Sequence, residues 1–187
     1  VMLVGIAADA LIAVLIRRNG DVVDGSLSGF FDRAELGVHQ QAALISRRLG
    51  RWLKFSPEEL DTLTLAGALH DIGKLKIPAE VLNKPGKYTD EEFALVKQHP
   101  KFGYDILKSL PLDSHVKKAV LCHHERSDGS GYPTGLSQSD IDEYAAIVSI
   151  ADVYDAMTAA RSYRAPLCVF QVINNFEHDG LSKYNPK

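Results

Sequence analysis

The sequence predicts an all-α fold. Apolar residues recur at helical spacing along most of the chain, and no stretch alternates with a convincing period of two. Two helix starts are spelled out in full. Ser56-Pro57-Glu58-Glu59 supplies a serine cap, a proline in the first turn and a glutamate at the capping-box position, and Thr89-Asp90-Glu91-Glu92 repeats the device without the proline. The segments between helices, NGDVVDGSLSG, KLKIPAEVLNKPGKYT and ERSDGSGYPTGLSQS, carry the Gly, Pro, Asn and Asp residues that punctuate a chain.

Taken in order, the first helix is expected over 6–18, inside VMLVGIAADALIAVLIRR. That stretch is too short to span a bilayer comfortably, Asp9 interrupts it and no small-residue cleavage site follows, so it reads as a core-facing helix. A second helix over 30–49 carries Glu35 and His39 four residues apart, on one face. A third over 57–71 ends in His70-Asp71, followed at once by Gly73 and Lys74. On a fourth, 90–109, Phe93, Val96, Gly103, Ile106, Leu107 and Leu110 form an apolar stripe on which His99 falls. On 113–124, Val116 and Val120 share the face of His123 and His124. On 139–159, Ile141, Val148 and Ala151 share the face of Asp152 and Asp155, and a helix over 166–178 follows. His115 and His178 fall off these faces and read as surface residues.

A length of 187 residues with 45% hydrophobic content suits one domain with a substantial core. Residues 1–29 read as an N-terminal helix and linker, residues 30–187 as one globular unit, and the whole as a piece of a longer polypeptide. A net charge of −3 and a pI near 6.2 argue against a nucleic-acid polymer or an acidic membrane as partner, while leaving room for a local pocket that takes a small anion. Cys122 and Cys168 stand far apart in no CxxC pattern, which fits free thiols in a reducing cytoplasm.

The inward-facing inventory is Glu35, His39, His70, Asp71, His99, His123, His124 and Asp152. Any one of them alone is more often an ordinary hydrogen-bonded core residue. Together they would bury several carboxylates, at a cost of several kcal/mol per ion, and divalent cations convert that arrangement into a favourable one. Imidazole mixed with carboxylate suits iron, manganese or zinc, the absence of clustered thiols removes a structural zinc site, and about eight ligands call for two or three ions rather than one. Iron or manganese is the expectation.

HDIGK at 70–74, IPAEVLNKPGKYTDEE at 77–92, KQHPKFGYDIL at 97–107, HHERSDGSGYPTGL at 123–136 and SIADVYDAMTAARSYR at 149–164 together resemble an HD-GYP domain, a branch of the HD-type phosphohydrolases. The resemblance implies an HD-domain-type helical bundle with a buried multinuclear metal centre that cleaves the bacterial second messenger cyclic di-GMP, to pGpG and on to GMP. It carries the ligand role to His39, His70, Asp71, His99, His123, His124 and Asp152, with Glu35 in ELGVH matching the subgroup that holds a third metal. It puts Lys74, Tyr132, Arg161 and Arg164 at the substrate, and Asp71 with Lys74 at the chemistry; a carboxylate, with two oxygens, suits Asp71 to bridging. A diguanylate cyclase, a sensor or receiver domain, or a second copy in a homodimer are the further partners it implies. Ser127 and Ala146 depart from the family pattern, as does 19–34, and none of these removes a ligand. Hydrolysis of another cyclic dinucleotide, and binding without turnover, are the alternatives.

Overall fold

The computed structural model describes residues 39–159 and 166–176. Among them the fold is helical: α1 (His39–Trp52), α2 (Pro57–Leu69), a 3-10 turn (Ile72–Lys76), α3 (Ala79–Leu82), α4 (Asp90–Val96), α5 (His99–Leu107), α6 (Ser114–Cys122), a second 3-10 turn (Gln138–Asp140), α7 (Glu143–Thr158) and α8 (Val169–Asn175). The expected helix over 6–18, the start of the one over 30–49 and the end of the one over 166–178 lie outside the described residues, as do Glu35, Arg161, Arg164 and His178.

Both capping boxes form. Glu59 accepts from the Ser56 backbone N–H at 2.7 Å while Ser56 Oγ accepts from Glu59 N–H at 3.3 Å, and Thr89 and Glu92 repeat the exchange at 2.7 and 3.3 Å. From these starts α2 packs on α1, α6 and α7, and α6 packs on α5 and α7. Their shared interior is Leu63, Leu69, Leu107, Val116, Val120 and Val148. His115, expected as a plain surface residue, joins two helix starts: its Nδ1 lies 2.9 Å from the Asp142 carboxylate that caps α7, and its ring stacks on Tyr144 at 4.4 Å.

Two readings need correction. KLKIPAEVLNKPGKYT is no plain connector, since it contains most of the first 3-10 turn and α3. The expected helix over 90–109 is two helices, broken at Lys97-Gln98, and the cause is Pro100. Its nitrogen has no proton to give the Val96 carbonyl one turn back. That carbonyl accepts from His99 Nδ1 instead, at 2.8 Å. The apolar stripe is interrupted with the helix: His99, Pro100, Gly103 and Leu107 are buried, whereas α4 buries none of its residues and leaves the Phe93 ring exposed.

The turn after His70-Asp71 lies against α5 so closely that a Cβ at Gly73 would overlap the His99 carbonyl and press on the Gly103 nitrogen. Backbone on both sides leaves nothing to give way. Gly73→Ala is therefore expected to cost about 3 kcal/mol, at the upper end for overpacking, read as a lowered denaturation midpoint; stability equal to wild type contradicts the close approach.

Candidate metal centre

Three buried imidazoles sit where helices end. His70 caps the C-terminus of α2, His123 caps that of α6, and His99 stands just past the end of α4. The last carbonyls of a helix have no N–H of their own helix to accept, and each ring uses one. Nδ1 of His70 lies 2.7 Å from the Gly67 carbonyl, Nδ1 of His99 2.8 Å from Val96, and Nδ1 of His123 3.0 Å from Val120. A ring nitrogen facing a carbonyl carries the proton. Nδ1–H donates in all three, and Nε2 turns toward the common centre.

That centre is the Asp71 carboxylate, carried to it by the turn after α2. Its Oδ1 lies 3.2 Å from His99 Nε2 and 4.0 Å from His123 Nε2, while its Oδ2 lies 3.4 Å from His70 Nε2. Asp152, from α7, brings Oδ1 to 3.6 Å from His70 Nε2. On the other side one nitrogen each from His99, His123 and His124 falls within 4.8 Å of the others. Asp71 thus separates two groups of donors, with one oxygen toward each. His123 and His124 do not diverge as neighbours on a helix would, because α6 has ended at Cys122; their rings lie 4.2 Å apart.

The donor set fits divalent cations. His70 Nε2 is buried with no hydrogen-bond partner. The Nε2 atoms of His99 and His123 face each other at 3.2 Å, which for two neutral rings is repulsive unless a positive centre lies beside them. Two ligand atoms each about 2.1 Å from one cation stand roughly 3.0–3.4 Å apart at tetrahedral or octahedral angles, the range of the His99–His123, Asp71–His99 and Asp71–His70 contacts. Burial, then the neighbouring imidazoles of His124, His70 and His99, hold His123 well below the usual histidine range, and burial takes His124 down to about 3. Both stay neutral, as ligands must. Burial also opposes charge on His70, but Asp71 and Asp152 outweigh it and push that ring up to about 10; a bound cation takes the place of its second proton. Burial works against the Asp71 charge too, yet the Lys74 ammonium and His70 hold its carboxyl well below the usual carboxylate range.

Lys74, from the first 3-10 turn, ion-pairs with Asp71 Oδ2. Tyr132 stacks on His124, rings 4.7 Å apart and 25° from parallel, so the Gly-rich loop forms a wall beside the cluster. His39 opens α1. Sequence reasoning passed over Glu125, the third residue of HHE. It is buried, and its carboxylate accepts from Thr134 N–H and Oγ1, each at 2.7 Å, and from Leu136 N–H at 3.0 Å. It ties the far end of the loop to the base of α6, while a Cβ on Gly131 would strike the Glu125 and Arg126 backbone. An acid buried next to two histidines was the available signal.

Residues 28–187 match the family model for the HD domain. The chain belongs to the HD domain family. Its HDIGK, HHER and GYP segments place it in the HD-GYP branch. This HD domain is 41% identical over 143 residues to RpfG of Xanthomonas campestris, a cyclic di-GMP phosphodiesterase response regulator, covering 75% of this chain and 36% of that protein. It is 41% identical over 135 residues to 3'3'-cGAMP-specific phosphodiesterase 2 of Vibrio cholerae, covering 71% and 26%. Among solved structures it resembles Bd1817, an HDG"Y"P protein from Bdellovibrio bacteriovorus, with a TM-score of 0.66 and 26% identity over 79% of this chain and 47% of that one. The HD domain therefore spans about a quarter to a third of the length of these curated relatives. HD domain phosphohydrolases are metal-dependent, in keeping with the His/Asp cluster.

The depressed histidines set a pH response. Unfolded, His124 takes its proton near the ordinary 6.5; folded, only near 3. Between those values the unfolded chain binds more protons, so stability rises with pH. The shifts of Asp71 and Asp152 act below the ordinary aspartate value of 3.8 and that of His70 above 6.5. In chelator, stability is expected to fall as pH drops from 6.5 to 4.5, by up to about 1.4 kcal/mol per pH unit for each buried neutral histidine. Urea midpoints across that range measure it, and a flat profile contradicts the neutral pair.

Proposed function

We propose that the chain is the catalytic domain of a metal-dependent phosphodiesterase that hydrolyses cyclic di-GMP to pGpG and on to GMP. The observation that carries this reading is the divided carboxylate of Asp71, with Oδ1 toward His99 and His123 and Oδ2 toward His70. Two divalent ions fit the division, one with His70, Asp152 and His39, the other with His99, His123 and His124, and iron or manganese suits such mixed donors. Bound, the ions would supply Lewis acidity toward the phosphate and would make hydroxide available as the nucleophile near neutral pH.

The chain's own residues do the rest. The carbonyls of Gly67, Val96 and Val120 hold the imidazoles in one tautomer, so no ring has to reorient during turnover. The Lys74 ammonium, beside Asp71, is the group suited to a non-bridging phosphate oxygen, where it offsets charge as the bond breaks. Tyr132 walls the pocket, and the family likeness assigns Arg161 and Arg164 to the substrate's phosphates. The catalytic unit runs over 30–187, acts in the bacterial cytoplasm and takes its orders from a sensor or receiver domain, a diguanylate cyclase or a second copy. No helix among the described residues is long and apolar enough to cross a membrane. The Vibrio relative named for 3'3'-cGAMP is as similar as RpfG, which favours that dinucleotide as the second substrate to test.

Asp71→Asn is expected to lose bound metal and to lower hydrolysis at least a hundredfold, measured by elemental analysis beside product chromatography on cyclic di-GMP, 3'3'-cGAMP and pGpG. Full turnover by demonstrably metal-free protein sinks the reading. A third ion, in the same proposal, takes the Glu35 carboxylate beside the ion that His39 holds and serves the second cut, where pGpG presents a terminal phosphate with additional charge. Glu35→Ala is then expected to keep two ions and the first cleavage but to accumulate pGpG; GMP formed from pGpG at the wild-type rate removes Glu35 from the site.

A further inference from the structure

A cyclic dinucleotide carries two phosphodiesters, and the metal cluster engages one of them at a time. The other must lie elsewhere in the pocket with its negative charge met. Among the described residues, one arrangement beyond His124 is suited to it. The Lys97 ammonium lies over the Phe93 ring, 4.5 Å from its centroid, and over the Tyr132 ring, 5.7 Å from its centroid. Tyr132 in turn stacks on His124, 4.7 Å away. Lys97 is therefore one aromatic ring removed from the ligand cluster.

Lys97 forms no salt bridge with a carboxylate among the described residues, which it shares with Lys54, Lys76, Lys87, Lys101 and Lys117; two further observations separate it from an ordinary surface cation. Its position is built by the chain break. Lys97 caps the C-terminus of α4 two residues before His99, at the break itself, and from there its ammonium reaches the ring of Tyr132. Finally, its aromatic neighbours confine the ammonium without neutralising it, since a ring face attracts a cation but takes none of its charge. Phe93, half exposed one turn earlier on α4, leaves a flat face toward solvent beside it.

We propose that Lys97 is a substrate-binding residue that contacts the phosphodiester not being cleaved, with Phe93 holding it in place and giving the adjacent nucleobase a surface to stack on. The assignment rests on the cyclic-dinucleotide reading of the site. Its consequence is selective: Lys97 acts on substrates with a second phosphate and on no others. Bis(p-nitrophenyl) phosphate, a small diester with one phosphorus, reaches the metals alone.

The test compares Lys97→Ala, Lys97→Arg and wild type, metal-loaded and as the full chain, on cyclic di-GMP and on bis(p-nitrophenyl) phosphate. Lys97→Ala is expected to raise KM for cyclic di-GMP about tenfold with kcat within about twofold of wild type, to leave kcat/KM for the small diester unchanged, and to be rescued by Lys97→Arg. Phe93→Ala is expected to raise the same KM about threefold. An equal loss on both substrates makes Lys97 a structural prop for Tyr132 and overturns the proposal. No change on cyclic di-GMP overturns it too. If wild type cleaves the small diester but none of the cyclic dinucleotides, the substrate reading itself has failed, an outcome seen before any variant is made.

Discussion

The site depends on unspent carbonyls at helix ends. A helix leaves its last C=O groups without partners, and here three such ends meet with a histidine at or just beyond each. The hydrogen bond from Nδ1 to a carbonyl one turn back fixes both the proton and the ring plane. What would be a debt at each terminus becomes the device that aims three nitrogens at one point. Substituting any of these rings removes a donor from the centre and also leaves a buried carbonyl unsatisfied, so binding and folding are coupled at the same atoms.

Around that point the chain gathers charges that make sense together and not singly. Asp71 and Asp152 raise the affinity of His70 for a proton, burial with the surrounding imidazoles denies one to His123, and Lys74 keeps Asp71 ionised. A buried group of this kind is tolerated only when something with a larger charge than a proton completes it. The contact of Gly73 with the α5 backbone keeps the group compact: it brings the turn carrying Asp71 against the helix that begins with His99, and no other side chain fits between them.

Much of this was legible in the sequence. The two capping boxes located the starts of α2 and α4 to the residue, since each is a local exchange of hydrogen bonds that needs no tertiary context. Residues His70, Asp71, His99, His123, His124 and Asp152 were picked out by helical periodicity, and the structure brings them around one centre, because inward faces of packed helices have only one interior to share. Where periodicity misled, the reason is specific. The stripe from Phe93 to Leu110 reads as continuous, and Pro100 within it carries a local veto that pattern counting does not weigh. Glu125 escaped because its partners, Thr134 and Leu136, lie across a loop, and an acid's long-range hydrogen bonds have no periodic signature. The positions of Glu35, Arg161 and Arg164 fall outside the described residues, so the family likeness alone speaks for them.

The break before Pro100 also divides labour between two adjoining pieces of chain. Helix α5 is held by the core along one whole face, and its first residue is one of the aimed imidazoles. Helix α4 has no buried residue and stays in place through its capping box and the Lys84–Glu92 ion pair. Mutations on α4 away from Glu92 therefore carry little thermodynamic penalty, while those on α5 disturb packing and cluster at once. Under selection the rim can be rewritten residue by residue while the cage of nitrogens stays as it is, and a change of preference among related nucleotides is open to the protein without passing through an unstable intermediate.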